Sequence, residues 1–250
     1  MLINKLLSAI LLFAVLYNNP VIAQQKDLTT DTKTSVYNIS RLKQPIKIDG
    51  NWDKPQWQNI KAIEIINFIR VEPKFRPSTR AKMTYDDENL YVIFQVQDRY
   101  VRSVTKDING RVWEDSAVEF FFSPDTSLPE NFFNLEVNCG GTPKLGYRST
   151  PRTRIEVSDV EKIEIGHSLP QVVDPEITEP VTWTLECRIP LVMLEKYSNV
   201  TRPKQGVQWR ANFYKIAETT SNIHYISWSV IDHPEPHFHR PQYFGTLKFQ

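Results

Sequence analysis

The chain has 250 residues, with 30 Lys plus Arg, 29 Asp plus Glu, 17 Pro, 8 Gly and 2 Cys. Balanced charge offers no basic field for nucleic acid or an anionic membrane, and an apolar content of 40% is too high for a disordered chain. Two cysteines exclude a disulfide-dense scaffold and a four-Cys zinc site, and a chain this long buries enough surface to fold without either staple.

Residues 1–23 read as a signal peptide. Lys5 gives a positive start, Leu6 to Leu16 is apolar, and Val21 and Ala23 are small residues placed for cleavage after Ala23. The apolar run is well short of the roughly 20 residues that span a bilayer, so no membrane span is expected. Removal takes away one Lys and no acid and predicts a neutral mature protein in a periplasm, on a cell surface or outside the cell. Residues 24–34 are polar and without periodicity, and are read as a flexible lead-in.

The body, residues 35–250, is predicted to be all-β, a single antiparallel β-sandwich. Asp49-Gly50 marks a turn, and Trp52 and Trp57 around it are expected to plug an open end of the sandwich. A short helix is expected from Asp53, with Pro55 in its first turn. After the turn at Asp86-Asp87, Leu90, Val92, Phe94 and Val96 share one face of a strand. Asn109-Gly110 marks the next turn. Val118, Phe120 and Phe122 then face one way and Ala117, Glu119 and Phe121 the other. Phe133, Leu135, Val137 and Cys139 likewise oppose Asn134, Glu136 and Asn138.

Ser149 to Pro180 is polar, with only Ile163 and Ile165 as a core signal, and predicts a long loop. Trp183, Leu185, Cys187 and Ile189 resume the alternation, and Pro190 to Tyr197 predicts a second short helix. Val207, Trp209, Ala211 and Phe213 alternate with Gln208, Arg210, Asn212 and Tyr214. Tyr225 to Val230 and Phe244 to Phe249 are the last strands, and Trp183, Trp209 and Trp228 are assigned to the core. Cys139 and Cys187 share core parity, which leaves open both a disulfide and two buried thiols.

Trp113 lies in the polar segment Arg111 to Ser116 rather than on a strand face, which makes it a candidate platform for the flat C–H face of a sugar. Its alternative is to cover a sandwich edge. Glu119, Glu136 and Asn138 could supply hydroxyl partners from polar strand faces. Glu119 and Glu136 could also be a catalytic pair, since glycoside hydrolysis uses two carboxyl groups about 5 to 9 Å apart. His237 and His239 project to one side of an extended segment, and zinc would need His233 or Asp232 as a third ligand. The acidic turn Asp86-Asp87-Glu88 could hold calcium. There is no nucleophile elbow, P-loop or dinucleotide fingerprint.

Four segments in order resemble carbohydrate-binding module family 9, in particular its Bacteroidetes-type secreted members. They are Ile48-Asp49-Gly50-Asn51-Trp52-Asp53 with Trp57, Asp86 to Val92, Trp113 to Phe121, and Phe238 to Gly245. The resemblance implies a β-sandwich that binds sugar, often at a chain end, between two aromatic rings. Trp113 matches the first ring; Phe238 stands where the second is usually Trp. Glu119 and Asn138 match a family carboxylate and amide, and Glu136 replaces an Arg. His239 and Arg240 belong to the closing motif, and Arg210, Asn212 and Tyr214 share a polar strand face as a secondary set.

The resemblance also implies structural calcium, without ligands that can be matched, and a partner glycoside hydrolase, because the module usually accompanies an enzyme. The expectation is a secreted, non-catalytic binder of carbohydrate with no other cofactor. The alternatives are a glycan-active enzyme using Glu119 and Glu136, or a haem-binding redox sandwich with Met83 or Met193 and a His as axial ligands.

Overall fold

Period-two alternation builds two antiparallel sheets that bury their apolar faces against each other. The computed structural model describes residues 35–70 and 72–250, so the segments read from sequence as a signal peptide and a lead-in lie outside the described residues. In chain order the strands are β1 (Val36–Ile39), β2 (Ile63–Ile65), β3 (Asn67–Phe68), β4 (Ser78–Tyr85), β5 (Asn89–Asp98), β6 (Val101–Ser103), β7 (Ala117–Ser123), β8 (Phe132–Asn138), β9 (Pro143–Arg148), β10 (Glu164–His167), β11 (Val173–Ile177), β12 (Val181–Pro190), β13 (Gln208–Ala217), β14 (His224–Ser227) and β15 (Gly245–Phe249).

The larger sheet runs β1-β15-β13-β7-β8-β9, with β14 and then β3 added beside β13. The smaller runs β10-β12-β5-β4-β2, and β11 pairs with β6 in a separate ribbon. The first strand joins the last in parallel, whereas the central ladders are antiparallel. Among the described residues no helix is long and apolar enough to cross a membrane.

The predicted inward faces meet in one core. It holds Leu90, Val92, Phe94 and Val96 of β5, Trp183, Leu185, Cys187 and Ile189 of β12, and Phe120, Phe122, Trp209 and Phe213 of β7 and β13. Burial of each such side chain stabilises the fold by roughly 1.5–3 kcal/mol. Phe120 stacks on both Phe122 and Phe213, with centroids 4.5 and 4.8 Å away. Trp228 packs against this core but stays half-buried. Both helices form where proline chemistry places them, each as a single turn, Pro55–Gln58 and Leu191–Leu194.

Three expectations change. The long loop from Ser149 to Pro180 instead contains a helical turn, Val157–Val160, and the strands β10 and β11. Ile155, Val160 and Val173 are buried there in addition to Ile163. Its strands escaped notice because β10 is short and β11 carries Pro175, where its register on β6 shifts.

Trp52 and Trp57 do not plug an open end. They cover the outer face of the smaller sheet, against Tyr91 and Ile93, with Ile46 and Ile48. Beneath them the fully buried Glu186 carboxylate accepts the Asp49 and Gly50 amides, Lys54 Nζ and Trp57 Nε1, at 2.7–3.0 Å. Gly50 is required at this turn: its φ is +73°, and a Cβ would lie 3.2 Å from the Gly166 backbone.

The third change concerns β7 and β8, whose polar faces, left open or covered by the alternation alone, are buried. A second apolar cluster lies over them, with Phe121, Phe132, Tyr214, Ile216, Phe238 and Phe244. Cys139 and Cys187 are free buried thiols, and burial pushes the Cys139 thiol up to about 12.

Candidate functional site

The site begins as one row across the outer face of the larger sheet. Tyr214 of β13 pairs with Glu119 of β7, Glu119 with Glu136 of β8, and Glu136 with Lys144 of β9. Directly opposed residues of this kind place their Cβ atoms about 4.5–5.5 Å apart. The row therefore brings a phenol, two carboxyl groups and an ammonium side by side.

Two loops wall the row. The 3-10 turn Val112–Glu114 carries Trp113 on one side, and Pro236, His237, Phe238 and His239 stand on the other. Ile216, Glu218 and Tyr225 close one end, and Arg148 the other flank. The cavity so formed measures about 300 Å³, at the small end of the roughly 300–1,000 Å³ typical of small-ligand sites.

Glu119 is the most unusual group in it. The residue is 3% exposed, and its Oε2 has no hydrogen-bond partner. Burial, and then the negative Glu136 alongside, hold its carboxyl well above the usual carboxylate range. Glu136 is different: its Oε1 accepts Lys144 Nζ at 2.7 Å and Asn134 Nδ2 at 2.8 Å. At the far end, burial raises the Glu218 carboxyl, opposed by the Tyr225 hydroxyl bonded to it. The pocket thus offers an acidic end able both to donate and to accept hydrogen bonds.

The aromatic walls are unequal. Trp113 is half-buried, and Lys144 Nζ lies 4.1 Å from its ring centroid. Phe238 is 5% exposed and stacks on Tyr214 at 4.1 Å. Its carbonyl accepts the Tyr214 hydroxyl at 3.2 Å. Tyr214 is therefore the backing of the Phe238 wall. Burial, and then Arg148, push the His239 imidazole down to about 3, so it is neutral.

Of the residues singled out from sequence, Trp113, Glu119, Glu136, His237, Phe238 and His239 line this cavity together. The others stand elsewhere. Asn138 is fully buried; it donates to Thr105 O and Asp115 Oδ2 and accepts the Thr142 amide. Asn212 accepts the Phe213 and Ser229 amides and donates to Ser229 O. Arg210 donates to the Phe244 and Gly245 carbonyls beside a separate shallow pocket. Arg240 flanks the closing loop without lining the cavity. With every polar atom of Asn138 and Asn212 already engaged, both act as braces for their strands.

Sequence reading missed Lys144, Arg148, Glu218 and Tyr225. The signal for the first two was present: Leu145 and Tyr147 alternate with Lys144, Gly146 and Arg148 along β9. Pro143 and Gly146 interrupt that pattern.

Among the described residues no group of three His, Cys, Asp or Glu is placed to hold a metal ion. In the acidic turn, Asp86 accepts the Glu88 and Asn89 amides and the Tyr91 hydroxyl, while Asp87 pairs with Arg41. Met83 and Met193 are fully buried in the main core and do not line this cavity.

The family model for carbohydrate-binding family 9 matches residues 44–249. Among solved structures, a candidate carbohydrate-binding protein from Bacteroides uniformis superposes with a TM-score of 0.78 at 24% identity, over 87% of this chain and all of that one. A family 9 module from Caldicellulosiruptor kristjanssonii in complex with cellotriose gives 0.61 at 17% identity, over 86% of this chain and 94% of that one. A family 9 structure from the same organism in complex with glucose gives 0.61 at 16%, over 86% and 96%. At these identities the likeness establishes the shared sandwich fold. No curated protein matches the chain.

Proposed function

Since this chain belongs to carbohydrate-binding family 9, we propose that it is a secreted, non-catalytic protein that holds the end of an oligo- or polysaccharide between Trp113 and Phe238. The observation that carries the reading is Glu119, a buried carboxyl with one oxygen unpartnered at the floor of a cavity walled by an accessible indole. A sugar hydroxyl would complete that oxygen, Glu136 would accept a second, and the ring's C–H face would pack on Trp113. The cavity's small volume favours one or two rings at a chain end over a long groove-bound segment. The family 9 complexes with cellotriose and glucose make glucose-based ends the first ligands to try.

In this role the protein would serve a glycoside hydrolase of the same compartment by capturing its glycan. Titration calorimetry with cello- and xylo-oligosaccharides tests the reading, with Trp113→Ala beside the wild type. Binding that weakens in the variant supports it. Absence of binding to a folded wild type across neutral and acidic glycans overturns it.

The cross-strand carboxyl pair supports one rival. Glu119, whose carboxyl is raised well above the usual range by burial and by Glu136, and Glu136, ion-paired to Lys144, form the acid-and-carboxylate arrangement that glycoside hydrolysis uses. Turnover of an aryl glycoside that disappears in Glu119→Gln would establish catalysis in place of simple binding.

A further inference from the structure

The two ends of the cavity carry different charge. Lys144 is matched by Glu136, and Glu218 is bonded to Tyr225. Arg148 has no such match. It forms no ion pair among the described residues; Arg80, Arg102 and Arg210 form none either but donate to neutral oxygens, and Arg240, whose Nε is likewise unpartnered, does not line the cavity. Arg148 Nε is buried without an acceptor, and its Nη2 meets only His239 Nε2, at 3.5 Å. The neighbouring imidazole is neutral, and the nearest acid acting on Arg148 is Glu136, already held by Lys144 and Asn134.

More positive charge surrounds this end. Arg148, Lys144 and Arg152 all act on His239, and Arg240 and Arg148 on His237, where Glu235 is the one acid in opposition. A buried guanidinium N–H without an acceptor is destabilising in the empty site. A planar fork of donors, facing a cavity and left without a carboxylate, matches an anionic oxygen pair on a ligand. The unpartnered Glu119 Oε2 on the same floor marks where the ligand's hydroxyls would go.

We propose that the sugar selected by this pocket carries an anionic substituent, a carboxylate or a sulfate, that lies against Arg148 while its hydroxyls turn toward Glu119. The proposal rests on the reading of the cavity as a sugar site and narrows it to acidic glycans.

The test is calorimetric affinity for two charged and neutral pairs, oligogalacturonate with its methyl ester and dextran sulfate with dextran, and for cellotriose alone. Wild type, Arg148→Gln and Arg148→Lys are compared. The expected result is that one charged ligand binds at least about tenfold tighter than its neutral counterpart, as a charge-assisted pair would give. That margin should vanish in Arg148→Gln and survive in part in Arg148→Lys. A margin in the galacturonate pair identifies the carboxylate; one in the dextran pair alone identifies the sulfate. Equal affinity within both pairs, or a margin that persists in Arg148→Gln, overturns the proposal. Cellotriose binding with no charge preference sinks this proposal alone; a folded wild type that binds none of the five sinks it together with the sugar reading.

Discussion

Two buried glutamates occupy equivalent places on opposite sides of this sandwich, and they are treated in opposite ways. Glu186, on the outer face of the smaller sheet, is surrounded by two amides, an ammonium and an indole N–H. Glu119, on the outer face of the larger sheet, keeps an oxygen with no partner. Both are under an aromatic cover. The first is a closed knot that ties the segment around Asp49 to the sheet; the second is an open valence beside a cavity. Burial alone therefore does not separate a brace from a binding group, and the tally of satisfied hydrogen bonds does.

The contrast can be broken by substitution. The largest effect should come from Glu186→Ala, which leaves the buried Lys54 ammonium with only Asp49 and the Lys47 carbonyl and strands three further donors; a loss of about 3–5 kcal/mol is expected in denaturant unfolding. A loss below 1 kcal/mol would mean that the knot is ornamental. Asn212→Ala should cost about 1–3 kcal/mol by freeing two amides and a carbonyl, with glycan affinity unchanged in calorimetry. An affinity loss without a stability loss would return Asn212 to the site.

Glu119 should instead reveal itself through pH. Its folded pKa is raised above the ordinary value of 4.5, so its contribution is fully present below that value and is lost as pH rises through the folded pKa. The slope in that window reaches at most about 1.4 kcal/mol per pH unit. Glu119→Gln cannot ionise, so its unfolding free energy relative to wild type should climb with pH across the window. Parallel pH profiles for the two proteins would show that Glu119 is not held protonated. The smallest effect should be that of Trp113→Ala, a roughly two- to thirteenfold weaker glycan affinity from about 0.5–1.5 kcal/mol of lost stacking.

Much of the sandwich could be read in the sequence because its strands alternate cleanly. Trp183 to Ile189 and Trp209 to Phe213 each carry an apolar face that only one packing satisfies. The segment around Val173 could not, because Pro175 interrupts the alternation and leaves β11 as one strand of a two-stranded ribbon. At the site, Trp113, Glu119 and Phe238 were visible because they sit in dense motifs. Asn138 was misleading for a physical reason. Its parity matches Glu136, yet one step further along the strand it reaches Asp115 and the Thr142 amide instead of the cavity. Arg148 was invisible because parity cannot show that a guanidinium lacks a carboxylate; only the three-dimensional inventory of ion pairs does.

The order in which the chain supplies its parts has a consequence for how it must be made. The first strand pairs with the last, and β7 finds β13 across a long stretch of sequence. Folds dominated by such distant pairings fold slowly, in roughly milliseconds to seconds. Until Phe238 and Phe244 emerge, Phe121, Phe132 and Tyr214 have no cover on the outer face. The segment that finishes the pocket also shuts away a sticky aromatic surface. An unfinished chain would be prone to self-association during synthesis, and would profit from a holding chaperone until its final strands dock.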